Sequence, residues 1–225
     1  MPPTAHEPPE PPEPGPPDPH PGWLIRPPEP GEWPGIGAVV GAAFGADDPA
    51  EGHTVGALVD TLRRWWQQGR GFELVADAGG RVVGHVGMTR AYVDSLEKLH
   101  HVLVLSPLSV EPRWQGRGIG KALVRAALAG ARDAGWPLVF LEGAPSFYPE
   151  LGFVEAGPAG FAKPSVRIPD AAFMVHDTGV GPRGINGALV YPEAFWATDT
   201  TGLRGSILRR LCPGLFADDD QTTGA

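Results

Sequence analysis

The stretch "QGRGIGKALV", residues 115–124, sets three glycines and two cations directly before an apolar, helix-like run. The first N–H groups of a helix have no intrahelical partners and the macrodipole favours negative charge there, so such a loop is a generic anion site. A nucleoside triphosphate loop needs G-x-x-x-x-G-K-[ST]. Here Gly120 and Lys121 supply the "GK", but position 115 is Gln and position 122 is Ala, so no hydroxyl is available to hold magnesium. A dinucleotide loop needs G-x-G-x-x-G. Counted from Gly116 and Gly118 the third position is Lys121, and counted from Gly118 and Gly120 it is Leu123. Both registers fail, although Glu142, at the end of the next strand, stands where a ribose-binding acid would, which keeps a dinucleotide-binding protein as an alternative. "GVGPRG", Gly179 to Gly184, satisfies that pattern, but "INGALVYPEAF" after it carries Gly187 and Pro192 and no helical face, so it reads as a loop.

The elements that must position the loop follow from periodicity. "WLIRP", 23–27, is a short first strand closed by Pro27 and Pro28. "WPGIGAVVGAAF", 33–44, has helical spacing weakened by glycine, whereas in "TVGALVDTLRRWWQQG", 54–69, Val55, Leu58, Val59, Leu62, Trp65 and Trp66 share one face and Gly69 ends the helix. "FELVAD" and "RVVGHVGMTRAYV" flank "AGG" as an antiparallel hairpin. "HHVLVLSPLSV", 100–110, is a strand with Pro107 inside it, which removes a ladder donor and predicts a bulge or a strand splayed from its neighbour. A helix follows from Gly118 to Ala134, ended by Gly135, then a buried strand "PLVFL", 137–141. "APSFYPELGF" reads as a short helical turn and strand, and "AAFMVHD" and "GALVY" as late strands. The order predicts a mixed α/β (α+β) domain with a largely antiparallel sheet and one parallel crossover at its centre.

The run "SVEPRWQGRGIGKALVRAAL" resembles motif A of the GNAT superfamily of acyl-CoA-dependent N-acetyltransferases, whose signature [QR]-x-x-G-x-[GA] is filled by Gln115, Gly118 and Gly120. The resemblance extends from "IRPPEPGEW" through "GRVVGHVGMT" to "FYPELGF", over roughly residues 23–175. It implies the GNAT fold: a mixed, mostly antiparallel twisted sheet with a splayed central strand and flanking helices. It further implies that the N–H groups of Gln115, Gly116, Arg117, Gly118, Ile119, Gly120 and Lys121 cradle the pyrophosphate of acetyl-CoA, Arg117 and Lys121 adding charge. Leu108, Ser109 and Val110 on the splayed strand would contact the pantetheine arm. Transfer is then direct, and Tyr148 takes the place of the general acid whose phenol bonds the thioester sulfur. The family's strand carboxylate has no counterpart in "VLVLSPLSV", so the base stays open among Glu142, His101 and a water chain. Glu142 reads equally as an exposed strand-end acid and His101 as a surface imidazole. Glu111 is expected to brace the loop. Trp65 and Trp66 belong to the core or wall the acceptor cleft. The resemblance leaves the acceptor as an unspecified amine, and an acyl-CoA-binding or sensing module without turnover is the competing reading.

Composition narrows the remaining classes. The 225 residues suit one domain, and much of the proline lies in "MPPTAHEPPEPPEPGPPDPHPG", where almost no large apolar side chain could repay the entropy of folding. The expected organisation is a disordered Pro-rich tail over 1–22, a single domain over 23–216 and a frayed end over 217–225. A single cysteine, Cys212, excludes an internal disulfide framework and a thiolate metal cluster, so a reducing cytoplasm and no metal are expected. It also lies far outside the motif, and a thiol nucleophile has no support. The net charge of −8 argues against a nucleic-acid partner and for a cationic or amine one, and no apolar run of about 18 residues predicts a membrane span. A monomer or a homodimer fits equally.

Overall fold

The computed structural model describes residues 22–46 and 48–203. The Pro-rich tail up to residue 21, Cys212 and the C-terminal stretch lie outside the described residues. In chain order the elements are β1 (Leu24–Arg26), α1 (Trp33–Phe44), α2 (Pro49–Gln67), β2 (Gly71–Asp77), β3 (Val82–Asp94), β4 (Leu99–Val110), α3 (Ile119–Asp133), β5 (Leu138–Glu142), β6 (Val154–Glu155), β7 (Phe161–Ala162), β8 (Phe173–Asp177), β9 (Gly187–Val190) and α4 (Glu193–Ala197). Short 3-10 turns occupy Pro112–Trp114, Pro149–Leu151 and Asp170–Ala172. Helix α2 begins five residues before the apolar periodicity does. Asp48 caps it, accepting the Ala50 N–H at 2.9 Å, and Pro49 follows at the first helical position, where its missing donor costs nothing. Its first turn is largely exposed, which is why hydrophobic spacing did not mark it.

Among the described residues the strands form one sheet in the order β1-β2-β3-β4-β5-β8-β6, with β9 beside β3 where β2 has ended, and β7 beside β9. All neighbours are antiparallel except β4 with β5, joined by α3, and the short β7–β9 pair, a second parallel contact that the sequence did not announce. The sheet divides the core. Val39, Val40, Leu58, Leu62 and Trp66 of α1 and α2 pack on one face with Val75, Val93, Val104 and Phe140, and Ile119, Leu123, Ala127 and Ala131 of α3 pack on the other with Val86, Met88, Leu103, Val139 and Leu141. The two-residue alternation of β4 and β5 thus feeds both layers. Arg26 closes one corner, with its guanidinium 2.6 Å from Glu32 and 2.9 Å from Asp77, tying β1 to the start of α1 and the end of β2.

The element that decides the rest is the end of β4. Met88 pairs with Leu105 and Val86 with Leu108, so Gly87 alone stands opposite Ser106 and Pro107: the bulge that Pro107 predicted. On its other edge β4 pairs with β5 only at Leu103–Val139 and Val104–Phe140. From Leu105 to Val110 no strand among the described residues lies beside that edge, while β5 runs on to Glu142 paired with β8. The two strands therefore open as a wedge. Gly87 is required by close approach: a Cβ there would lie 2.5 Å from the Trp66 ring and 2.8 Å from the Ser106 carbonyl oxygen. Gly87→Ala is expected to cost about 1–3 kcal/mol through overpacking, read as a lower urea midpoint at unchanged slope; a variant as stable as the parent would show that Trp66 and the bulge yield to a methyl group.

Candidate functional site

The loop Gln115–Gly118 carries the chain from the end of β4 into α3. Gly116 and Gly118 have φ of 75° and 83°, the left-handed region that residues with a Cβ enter only at a cost. Gly118 caps α3 without a side-chain bond, and the first bond of the helix runs from Ala122 N–H to the Gly118 carbonyl at 3.0 Å. The N–H groups from Gly116 to Lys121 consequently make no hydrogen bond among the described residues. They border an open cleft of about 530 Å³ lined by Leu108, Val110, Trp114, Gly120 and Phe147. The Gln115 side chain turns back instead, its Nε2 donating to the Val110 carbonyl at 3.1 Å, and so holds the loop on the strand end. Arg117 lies over the Trp114 ring, 4.8 Å from its centroid, and Lys121 reaches Glu150 at 2.8 Å. Glu111 braces this corner by accepting from Arg81 at 2.7 Å.

The β4 ladder sorts the three strand positions. Glu111 N–H bonds the Val83 carbonyl at 2.9 Å, so alternation directs the backbone of Ser109 toward β3 and those of Leu108 and Val110 toward the open edge of the wedge. Tyr148 stands beyond the end of β5 in the α3-side layer. It is 8% exposed, its ring edge-on to Phe147 and Phe153 at 4.9 and 5.6 Å between centroids. Desolvation pushes its phenol up to about 12. Gly143 makes room for it: a Cβ there would meet the Tyr148 ring at 2.1 Å. Phe147 continues the wall to the loop, its ring 3.5 Å from a Cβ placed on Gly120. The loop, the open edge and Phe147 therefore border one wedge, with the Tyr148 ring packed edge-on against Phe147.

Glu142 is half-buried rather than an exposed strand-end acid. Alternation places it on the α2 face with Phe140, opposite to Tyr148. Burial raises its pKa, against the pull of a hydrogen bond from the Tyr191 hydroxyl, the Gly202 N–H at 2.9 Å and the field of Arg167. Arg167 in turn donates to the Thr201 carbonyl at 3.2 Å, so this cluster fastens the segment after α4 to the end of β5. His101 is exposed, paired with Tyr92 at the opposite end of β4, and is not brought to the wedge. Trp66 is core, donating through Nε1 to Thr89 Oγ1 at 3.0 Å, and Trp65 is half-buried beneath Arg70. "GVGPRG" is the loop between β8 and β9, followed by a strand and not a helix.

Sequence reasoning did not single out Phe147, Trp114, or the polar group Glu73, His85 and Thr89 that lies under α2. His85 had a usable signal: it is the one ionisable residue in the otherwise apolar run "VVGHVGM".

The comparisons with known proteins agree with this geometry. The model of the acetyltransferase (GNAT) family matches residues 9–153. YhbS of Escherichia coli K12, named an N-acetyltransferase, is 30% identical over 76% of this chain and 98% of its own length. YjhQ of the same organism, also named an N-acetyltransferase, is 33% identical over 51% of this chain and 65% of its own. Among solved structures, YhbS in complex with CoA superposes with a TM-score of 0.66 at 28% identity, over 79% of this chain and 94% of that one. A GNAT acetyltransferase from Brucella melitensis in complex with acetyl-CoA gives 0.62 at 28%, over 78% and 99%. With the glycine loop, the splayed β4 and β5 and the matched span in register, this chain belongs to the GNAT acetyltransferase family.

Proposed function

We propose that the protein transfers the acetyl group of acetyl-CoA directly to an amine. The observation that carries this reading is the continuity of three features: six loop N–H groups without a partner among the described residues, a β4 edge at Leu108 and Val110 that no described strand covers, and a buried phenol packed against Phe147 of the same cleft. The N–H groups of Gly116 to Lys121 suit a pyrophosphate, and the left-handed glycines let the backbone approach it. An extended pantetheine arm would supply the strand-like partner for the Leu108 backbone and the Val110 N–H, the Val110 carbonyl being already held by Gln115. Arg117 and Lys121 border the same anion, Lys121 leaving Glu150 to reach it.

Acetyl transfer needs a neutral amine, a polarised carbonyl and a proton for the departing thiolate. Attack forms the C–N bond and a tetrahedral centre; its collapse breaks the C–S bond, and the sulfur takes the Tyr148 proton. A phenol raised to about 12 remains protonated throughout the neutral range, so the donor is always loaded. On the amine side Glu142 is already engaged with Tyr191 and Gly202 and holds the wall of the site, and His101 stands away. The amine proton accordingly leaves through a relay. The acceptor enters from the face of α1, α2 and the segment after α4, and acidic net charge favours a cationic one.

A thiol-release screen with acetyl-CoA against a panel of amines tests the whole reading: CoA binding without acceleration by any amine would replace it with a binding module. In Tyr148→Phe, kcat should fall by about 10²-fold or more with acetyl-CoA affinity unchanged, and unaltered turnover would remove the phenol from the role. The wild type should show no descending limb from this group below the ordinary phenol value of 10.0, because protonation is lost only as pH rises through the raised value near 12. Gly143→Ala, which pushes the ring aside, should reproduce the kcat loss while CoA still binds in calorimetry. Gly118→Val should do the converse: forcing a β-branched residue to positive φ costs roughly 1–2 kcal/mol, and about tenfold weaker acetyl-CoA binding is expected.

A further inference from the structure

On the α2 face of the sheet, directly behind the splayed strand, lies a buried polar line that the chemistry above does not use. His85 of β3 is 0% exposed, and its Nε2 is 3.0 Å from Oε2 of Glu73 on β2, itself 8% exposed. Its other ring nitrogen, Nδ1, has no hydrogen-bond partner among the described residues. Across the ladder His85 is in register with Ser109 of β4, whose side chain shares the same face, is 1% exposed and whose Oγ likewise has no partner among the described residues. Side chains directly opposite in an antiparallel pair are neighbours, roughly 4.5–5.5 Å apart at Cβ. Two unsatisfied buried polar atoms on adjacent residues are a feature to be explained, since buried polar groups are nearly always paired. A Ser109 hydroxyl turned toward Nδ1 would satisfy both.

We propose that Glu73, His85 and Ser109 form the relay that receives the amine proton; the inference rests on the acetyl-transfer reading. The Glu73 carboxylate accepts from Nε2–H and so fixes the tautomer in which Nδ1 carries the lone pair. Ser109 donates to Nδ1 and sits between Leu108 and Val110, the two residues whose backbone faces the wedge. As the C–N bond forms, an N–H bond of the amine breaks and its proton passes to a water in the wedge, which hands one of its own to Ser109 Oγ while the hydroxyl's proton moves to Nδ1. The imidazolium is held by Glu73. It returns its proton to solvent as the Tyr148 phenolate regains one, so that one proton moves overall from amine nitrogen to CoA sulfur. His85 acts through Ser109 and is a positioning and relay residue, not a contact of the substrate.

Few other charges face it. From α2 the neutral Trp66 ring lies 5.7 Å away, α1 contributes no titratable side chain, and the next same-face position on β4 is Glu111, already paired with Arg81. Glu73 alone sets the polarity of the ring.

Long-range ¹H–¹⁵N spectra of the full chain carrying labelled histidine read the tautomer, with the His85 signals assigned by their loss in His85→Gln. An unprotonated Nδ1 and protonated Nε2, with the Nδ1 resonance displaced in Ser109→Ala, support the relay; an Nδ1–H tautomer, or a ring indifferent to Ser109→Ala, overturns it. The second readout is the pH profile of thiol release from acetyl-CoA with the fastest amine of the panel. His85→Gln, which can still donate to Glu73, and Ser109→Ala, which leaves the Glu73–His85 bond intact should the first variant fold poorly, are expected to lower kcat at least about tenfold. Both should lose the acid limb of the profile while keeping the KM for acetyl-CoA. Loss of thermal stability with an unchanged profile would mark the line as structural and overturn the proposal. Failure of the acetyl-transfer reading itself would show as wild-type thiol release that no amine accelerates, and it would overturn the relay with it, whereas failure of the relay alone would show as amine-accelerated release that neither His85→Gln nor Ser109→Ala alters.

Discussion

Everything in this molecule that bears on chemistry depends on one lapse in hydrogen bonding. β4 keeps β5 for two residues, Leu103 and Val104, and then leaves it. The cause is local: Ser106 and Pro107 stand against Gly87 alone, and the bulge bends the strand away while Trp66 fills the space above Gly87 that any side chain would occupy. An open edge of backbone donors and acceptors inside a folded domain is costly unless something extended occupies it. The same bend carries the chain to the glycine loop, so the open strand edge and the start of α3 share one cleft.

The sheet then separates two kinds of environment. On the α3 side are the loop, Phe147 and Tyr148, an aromatic wall ending in a phenol that desolvation keeps protonated. On the α2 side are Trp66, Thr89, Glu73, His85 and Ser109, with Glu142 farther along at the end of β5. A phenol on one face and a carboxylate, an imidazole and a hydroxyl on the other are the separation that the proposed transfer would use, its leaving group gaining a proton while the entering group loses one. Glu142 shows how easily an isolated acid misleads: at a strand end it reads as a base or as a solvated charge, yet its bonds to Gly202 and Tyr191 make it a fastening for the last described segment.

Much of this was legible in the chain. Periodicity placed α1, most of α2, α3 and the long strands, because each has a continuous apolar face. Gln115 and Ala122 broke the triphosphate-loop pattern, Lys121 and Leu123 broke the dinucleotide one in its two registers, and Pro107 announced the bulge, because proline cannot donate to a ladder whatever its surroundings. The short elements β6, β7 and α4 were illegible for the opposite reason: two to five residues have no period, and pairing partners distant in sequence define them.

The sequence by itself determined which backbone positions can be left-handed, which strand must break its ladder, and that an anion loop precedes a helix. These are properties of single residues and their immediate neighbours. Only the tertiary structure decided that Leu108 and Val110, not Ser109, face the wedge, that His101 stands apart, and that Glu73, His85 and Ser109, 36 positions apart along the chain, meet in one buried line. Strand register and burial fix those relations, and both arise from the packing of the whole sheet between its helices rather than from any local stretch.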